Sequence, residues 1–210
     1  AAFAHDLRTP LTVLKGYNEM LQACDNSQTR ETAATMGKHI SRMENYVSSM
    51  SNIRRMEDTQ PEYKLIDLQP LVSSLYDSAK IICTKNGKEL ILQNDISVLQ
   101  LSLDSAFISQ VCNNLISNAV RYARTLVTIS FTLHDNGLLL SVSDDGNGFD
   151  KDSLQKAANP YFTGESNHSE HFGLGLYICK LLCEHHNGYL QIRNTVNGAN
   201  VSAYFKSPTL

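Results

Sequence analysis

Ala4, Leu7, Leu11, Leu14, Asn18 and Leu21 recur at alternating steps of three and four, and Met36, Ile40, Met43, Val47 and Met50 repeat that rhythm further along the chain. Side chains on a strand alternate with a period of two, so this spacing fits only a helix that buries one narrow seam. It predicts a first helix over residues 1 to about 24 and a second from about Thr29 to Glu57, joined by the polar run Asp25-Asn26-Ser27-Gln28. Matching seams across so short a connection make an antiparallel hairpin. Two narrow seams bury little area, and such a hairpin completes its core against a second copy, as a four-helix bundle, or against the rest of its own chain. The expectation is the first, a homodimer.

The first helix carries Phe3-Ala4-His5-Asp6-Leu7-Arg8-Thr9-Pro10-Leu11-Thr12. His5, Arg8, Thr9 and Thr12 fall off the apolar seam, on a face open to a visitor. Pro10 removes the hydrogen bond that would end on the carbonyl of Asp6, which predicts a bend one turn after the histidine. Taken alone, His5 beside Asp6 is equally a solvated surface pair, and the rest of the chain has to decide.

Asp58-Thr59-Gln60-Pro61-Glu62 breaks the helical pattern and marks a domain boundary. The predicted division is a hairpin over 1–58, a linker over 59–66 and a second domain over 67–210. In that domain Leu68, Leu71, Val72, Leu75, Ala79 and Ile82 outline a helix over Ile66 to Ile82, with Asp67 as its cap. Lys88 to Asn94 and Val98 to Leu103 read as strands, and Asp104-Ser105 caps a helix running to about Ala123. Leu126 to His134 and Leu138 to Ser143 form a hairpin around Asp135-Asn136-Gly137. A polar stretch over 150–172 is predicted to be a long loop or lid. Leu174 to His186 is the last helix, followed by a hairpin of Gly188 to Asn194 and Ala199 to Phe205. The fold class is α+β: a helical hairpin, then helices layered on a mostly antiparallel sheet.

Composition narrows the partners. A formal charge of −3 with no run of lysine or arginine excludes a dedicated nucleic-acid surface. The five cysteines are an odd number and lie mostly in apolar stretches, as small buried hydrophobes suited to a reducing compartment. Cys179 and Cys183 share a helix face but lack metal-spaced partners, so no zinc site is expected. No run reaches the eighteen apolar residues of a membrane span, and no signal-peptide pattern is present.

Two groups of residues carry chemistry. On the helix after Asp104, residues Asn114, Asn118, Arg121 and Tyr122 share one flank while Ile108, Val111, Leu115 and Ala119 share the inward one. Amide oxygens are hard ligands suited to Mg²⁺, a guanidinium pairs with phosphate, and a tyrosine ring offers a flat surface to a base. The strand ending at Ser143 runs into Asp144-Asp145-Gly146-Asn147-Gly148-Phe149, where the glycines permit a tight turn and the first carboxylate can accept from an exocyclic amine. Gly173-Leu174-Gly175-Leu176 opens the last helix, whose first N–H groups are free for phosphate. Each feature alone is also an ordinary polar face or turn. Together, with a polar lid between the glycine pairs, they form a specific constellation.

The chain resembles the catalytic core of a sensor histidine kinase. Phe3 to Thr12 is similar to that family's H box, Asn114 to Tyr122 to its N box, Asp144 to Gly148 to its first glycine box and Gly173 to Leu176 to its second. The second domain also resembles the ATP-binding domains of gyrase, the ninety-kilodalton heat-shock chaperone and mismatch-repair ATPases, which share the Bergerat-type α/β sandwich. The histidine hairpin separates the kinases from them.

The resemblance implies ATP and Mg²⁺ as cofactors, His5 as phosphoryl acceptor, Asp6 as its acid-base neighbour and Asn118 as the Mg²⁺ ligand. It places Asn114 and Arg121 by the phosphates, Tyr122 and Asp144 at adenine, and Gly146, Gly148, Gly173, Leu174, Gly175 and Leu176 along the nucleotide and lid. It implies transfer to an aspartate on a response regulator receiver domain, and dephosphorylation of that partner through Thr9. It also implies a cytoplasmic domain of a membrane sensor, reaching the membrane only through segments outside this chain. The alternatives are a degenerate kinase acting as a nucleotide-binding scaffold and a stand-alone ATPase. Two features depart from the family pattern: Glu170-His171-Phe172 stand where leading glycines are usual, predicting a stiffer hinge, and the aromatic box is reduced to Tyr161-Phe162.

Overall fold

A computed structural model describes residues 2–163 and 173–208, with the side chains of 2–6, 8, 42, 45, 46, 49–52, 54 and 55 outside that description. The chain divides into two compact units, Ala1–Thr59 and Gln60–Leu210.

The first unit is α1 (Ala2–Gln22), with Pro10 inside it, and α2 (Ser27–Asp58). Asn26 caps α2, its Oδ1 accepting from the N–H groups of Gln28 and Thr29 at 2.9 and 3.2 Å. Lys15 meets Glu44 at 3.3 Å, while Asn18 packs at Gly37, so the helices run antiparallel. Buried between them are Leu11 and Asn18 from α1 and Ala33, Ile40, Val47 and Ile53 from α2. The buried α2 residues from Ala33 to Val47 follow a strict heptad, half of the seam read from the sequence. The other half, Leu14 and Leu21 with Met36 and Met43, is exposed. One period therefore holds two stripes, one closing the hairpin and one left over. A Cβ on Gly37 would lie 2.9 Å from Asn18 Nδ2, so glycine makes room for this amide, whose buried Oδ1 has no hydrogen bond among the described residues. A buried asparagine in an apolar seam fixes register at some expense of stability.

The second unit contains β1 (Lys64–Asp67), α3 (Leu68–Lys85), β2 (Glu89–Asn94), β3 (Gln100–Leu103), α4 (Ser105–Tyr122), β4 (Leu126–His134), β5 (Gly137–Asp144), α5 (Lys151–Lys156), α6 (Gly175–His185), β6 (Tyr189–Asn194) and β7 (Ala199–Lys206). Five strands form a mixed sheet in the order β2-β4-β5-β7-β6, with β2 parallel to β4 and the other pairs antiparallel. Alternate residues face one side: Val127, Ile129 and Phe131, then Leu138, Leu140 and Val142, then Val201, Ala203 and Phe205. They pack with Leu68, Val72 and Leu75 of α3, Ile108 and Leu115 of α4, and Leu182 of α6 in one core. The other side of the central strands is polar and self-bonded, Ser141 to Ser202 at 2.8 Å and Asn200 to Ser143 at 2.8 Å.

The structure adds two elements to those predicted and moves a boundary. β1 was not expected; it pairs antiparallel with β3 in a separate ribbon and takes residues 64–66 of the expected linker into the second unit. It also moves the start of α3, which runs on to Lys85, to Leu68. Asp67 makes no side-chain capping bond there, its carboxylate accepting from Gln100 Nε2 at 2.7 Å instead. The stretch after Gly148 is not wholly loop. Asp150 accepts from the Ser153 N–H at 2.8 Å, Lys156 bridges to Asp152 at 2.7 Å, and Ser153 and Ala157 are buried, which makes α5 a short capped helix. Among the described residues no helix is long and apolar enough to cross a membrane.

Candidate functional site

The N-cap of α4 sets the direction of its polar flank. Asp104 Oδ1 accepts from Ala106 and Phe107 N–H at 2.9 and 3.1 Å, and Ile108, Val111, Leu115 and Ala119 then turn fully inward. Asn114 and Asn118 are left half-buried along the edge of that core. Asn114 Nδ2 is buried and has no hydrogen-bond partner among the described residues; the Asn114 side chain lies close enough to the Cys179 thiol to oppose the rise that burial gives that thiol's pKa. The Asn118 side chain makes no hydrogen bond among the described residues. Amides held on a rigid helix without partners are available to a ligand. At the end of the helix the Arg121 guanidinium stands 5.7 Å from the centre of the Tyr122 ring, and that ring is exposed.

The glycine loop after β5 abuts this helix end. A Cβ on Gly146 would collide with the carbonyl of Tyr122, so only glycine permits the contact that sets Asp144 beside Tyr122. Asp144 is buried, its Oδ1 accepting from the Gly146 N–H at 2.9 Å. Burial raises its pKa, bonds from the main chain of Gly146 and Ala199 oppose the rise, and the charge of Asp145 adds to it. Asp145 behaves oppositely. Slight burial pushes its carboxyl up, but the Thr125 hydroxyl and the N–H groups of Thr125, Leu126 and Arg124 outweigh that and hold it well below the usual carboxylate range. The bonds run from 2.7 to 3.1 Å and pin the α4–β4 turn to the loop. Arg124 Nη2 adds a bond to Asn147 Oδ1 at 2.6 Å.

The other edge belongs to α6. It packs against α4 through Cys179, whose thiol lies 3.8 Å from the Val111 carbonyl. Gly173, at φ +63°, fits against the main chain of Phe162, where a Cβ would collide with the carbonyl. Tyr161 also has a positive φ, 65°, unusual for an aromatic residue. Leu174 and Leu176 have buried side chains, and Gly175 between them faces open space. Asp144 and Gly146 thus meet Tyr122 at the end of α4, with Asn118 and Arg121 on the last turns of the same helix, while Asn114 lies by Cys179 of α6. Glu170, His171 and Phe172 lie outside the described residues, as do the side chains of His5 and Asp6; Thr9 is exposed on α1.

Mg²⁺ fits this flank in one way. Among the described residues no cluster of three or more His, Cys, Asp or Glu could hold a metal. The unpartnered Asn118 oxygen offers one hard ligand, which suits a cation that keeps waters and takes its other ligands from phosphates. Two participants escaped the sequence reading. Asp145 stood in the glycine motif but signalled only a turn. Asn194, whose amide bonds the main chain of Phe149, gave no local sign at all.

A polar helix flank, a glycine loop at a strand end and a glycine-led helix start, gathered on one side of a mixed sheet, define a nucleotide-binding α/β sandwich. The chain matches the model of the "Histidine kinase-, DNA gyrase B-, and HSP90-like ATPase" over residues 103–209, and belongs to that family. Residues 1–59 match the "His Kinase A (phospho-acceptor) domain", and the two together make this a histidine kinase catalytic core. Sensor histidine kinase YvrG of Bacillus subtilis (strain 168) is 28% identical over 217 residues, covering 98% of this chain and 37% of that protein. Sensor protein SrrB of Staphylococcus aureus (strain N315) is 27% identical over 219 residues, covering 99% and 37%. The chain spans little more than a third of the length of these relatives. Full-length ShkA in complex with AMPPNP shares the fold over 100% of this chain and 46% of its own, with TM-score 0.72 and 17% identity. Acinetobacter baumannii histidine kinase AdeS does so over 98% of both chains, with TM-score 0.63 and 20% identity.

Proposed function

We propose that this chain is a Mg²⁺-ATP-dependent protein-histidine kinase core that phosphorylates His5 and passes the phosphoryl group to an aspartate on a response regulator receiver domain. The observation that carries the reading is the joining, in one chain, of a phospho-acceptor match over residues 1–59 and an ATPase match over 103–209. Asp144 accepts from the adenine amine and Tyr122 lies against the base. Arg121 and Asn114 hold phosphate oxygens, and main-chain N–H groups at the start of α6, from Gly173 to Leu176, face the phosphates under the lid. Mg²⁺, held through Asn118, supplies charge that offsets the phosphates. The role we assign to Asp6 is to hold one ring N–H of His5, which would leave the other nitrogen's lone pair to attack phosphorus as ADP leaves. Positioning supplies much of the rate. Incubation with γ-labelled ATP and Mg²⁺ tests this: the label on the chain should be acid-labile and base-stable, and ATP binding without label would favour a nucleotide-binding scaffold instead.

The leftover stripe of Leu14, Leu21, Met36 and Met43 supports a homodimer closing a four-helix bundle. Sedimentation should give twice the 23.4 kDa chain mass, and Leu14→Glu with Met43→Glu should return the monomer. Thr9, exposed one turn after His5, is the residue we assign to dephosphorylation of the regulator by orienting a water. In Thr9→Ala, labelling should proceed at the unaltered rate while release of phosphate from a phosphorylated receiver domain slows about tenfold, the worth of one hydrogen bond. Equal release rates would remove the assignment. The names of the relatives support a sensor protein whose further segments lie outside this chain.

A further inference from the structure

We propose that Asn194, at the end of β6, is a positioning residue for the nucleotide: its side-chain amide holds the return leg of the glycine loop and so the shape of the pocket around Asp144. The assignment rests on the ATP reading above. Asn194 Oδ1 accepts from the Phe149 N–H at 2.8 Å, and Asn194 Nδ2 donates to the Phe149 carbonyl at 2.7 Å. A single side chain thus pairs with both main-chain groups of one residue, as a neighbouring strand would. Gly148 makes this possible. At φ +74° it turns the chain towards Asn194, and a Cβ there would lie 2.7 Å from Asn194 Oδ1.

The same hairpin touches the loop at its other end. Asn194 pairs in register with Ala199, whose main chain bonds the Asp144 carboxylate. Between them a Cβ on Gly198 would collide with the Asp144 carbonyl and stand 2.8 Å from Gly146 N. The β6–β7 turn is closed on itself by the Thr195 N–H to the Gly198 carbonyl at 2.8 Å. The glycine loop is therefore seated on a rigid turn, with Gly198 under its start and Asn194 gripping its end. Beyond Phe149 the chain enters α5 through the Asp150 cap, so Asn194 also fixes where α5 begins. Asn194 is exposed. Its pair of bonds orders a loop without adding to the core, which is the profile of a residue kept for geometry rather than for stability.

Only a carboxamide of this length both accepts and donates here: leucine does neither, and aspartate sets a carboxylate against the Phe149 carbonyl. Calorimetric titration of Mg²⁺-ADP into the unaltered chain, Asn194→Leu, Asn194→Asp and the fully exposed control Val196→Ala provides the test. Kd should rise about tenfold in both Asn194 variants, as expected for losing such bonds, and stay put in the control. The number of sites per chain and the melting temperature should not move. In labelling assays KM for ATP should rise while the rate at saturation is kept. Unchanged Kd in both variants, or sites lost at unchanged Kd, would overturn the positioning role. Absence of ADP binding by the unaltered chain would overturn the nucleotide reading and this assignment with it.

Discussion

His5→Ala is expected to abolish the acid-labile label while leaving Mg²⁺-ADP affinity unchanged, and Asp144→Ala is expected to weaken nucleotide binding and, with it, the label. The two substitutions separate because the groups belong to different compact units. In the proposed reading His5 contributes the nucleophile, and the hydroxyls of Thr9 and Thr12 on α1 are far weaker nucleophiles at neutral pH. Asp144 is a buried carboxylate at a strand end, and alanine there removes the acceptor proposed for adenine and also the partner of the Gly146 N–H. Two losses at one position should lower ATP affinity by about 100-fold or more, because the site is left with an unpaired donor as well as without its contact to the base. Filter-retained label in acid and in base measures the first effect, and titration with Mg²⁺-ADP the second. Label that survives His5→Ala would move the acceptor elsewhere; nucleotide affinity that survives Asp144→Ala would sink the adenine assignment.

Periodicity exposed the elements that bury a continuous apolar face, and little else. α4 and the β4–β5 hairpin follow the predicted pattern because eight or more residues repeat one spacing. β1 escaped because Lys64-Leu65-Ile66-Asp67 is four residues whose pairing partner, β3, lies well downstream. α5 escaped because it is polar and is held by the Asp150 cap and an ion pair, not by an apolar stripe. In the hairpin, one seam of alternating threes and fours could not reveal which of its residues close the helix pair; Ile40 and Val47 do, Met36 and Met43 do not. At the site, motif residues were legible and their supports were not. Asn194 reaches Phe149 across 45 residues, and such a contact leaves no mark on either local sequence.

The same blindness covers His186, which the sequence presents only as the second of two histidines at a helix end, and its surroundings predict acid lability for the second unit. The ring is fully buried. Its Nε2 accepts from the Asp104 N–H at 2.9 Å and its Nδ1 lies 3.1 Å from the Lys206 carbonyl, so the folded state holds the neutral ring with the proton on Nδ1. Tyr63 and Phe205 pack edge-on at 4.7 and 5.6 Å, and Asp104 Oδ2 accepts from the Glu62 N–H at 2.8 Å, tying the start of the unit to the same cluster. Burial lowers the His186 pKa from 6.5, and the Lys206 carbonyl and the Asp104 charge oppose it without reversing it. A protonated ring has no lone pair left for the Asp104 N–H. With the folded value depressed, the unfolded chain binds more protons below about pH 6.5, so the contribution is complete above that pH and is lost as pH falls towards the folded value. The hydrogen-bonded carboxylates of Asp145 and Asp150 act in the same direction, but only near and below pH 4, while Asp144, raised by burial, gains stability as pH falls and so cannot produce the loss. Melting temperature should be flat from pH 8 to 7 and fall through pH 6 and 5. His186→Leu should remove that slope and lower the plateau by roughly 10 °C, the effect of about 3 kcal/mol from two unpaired main-chain groups in a unit of this size. A slope between pH 7 and 5 that survives in His186→Leu would assign the acid sensitivity to another group.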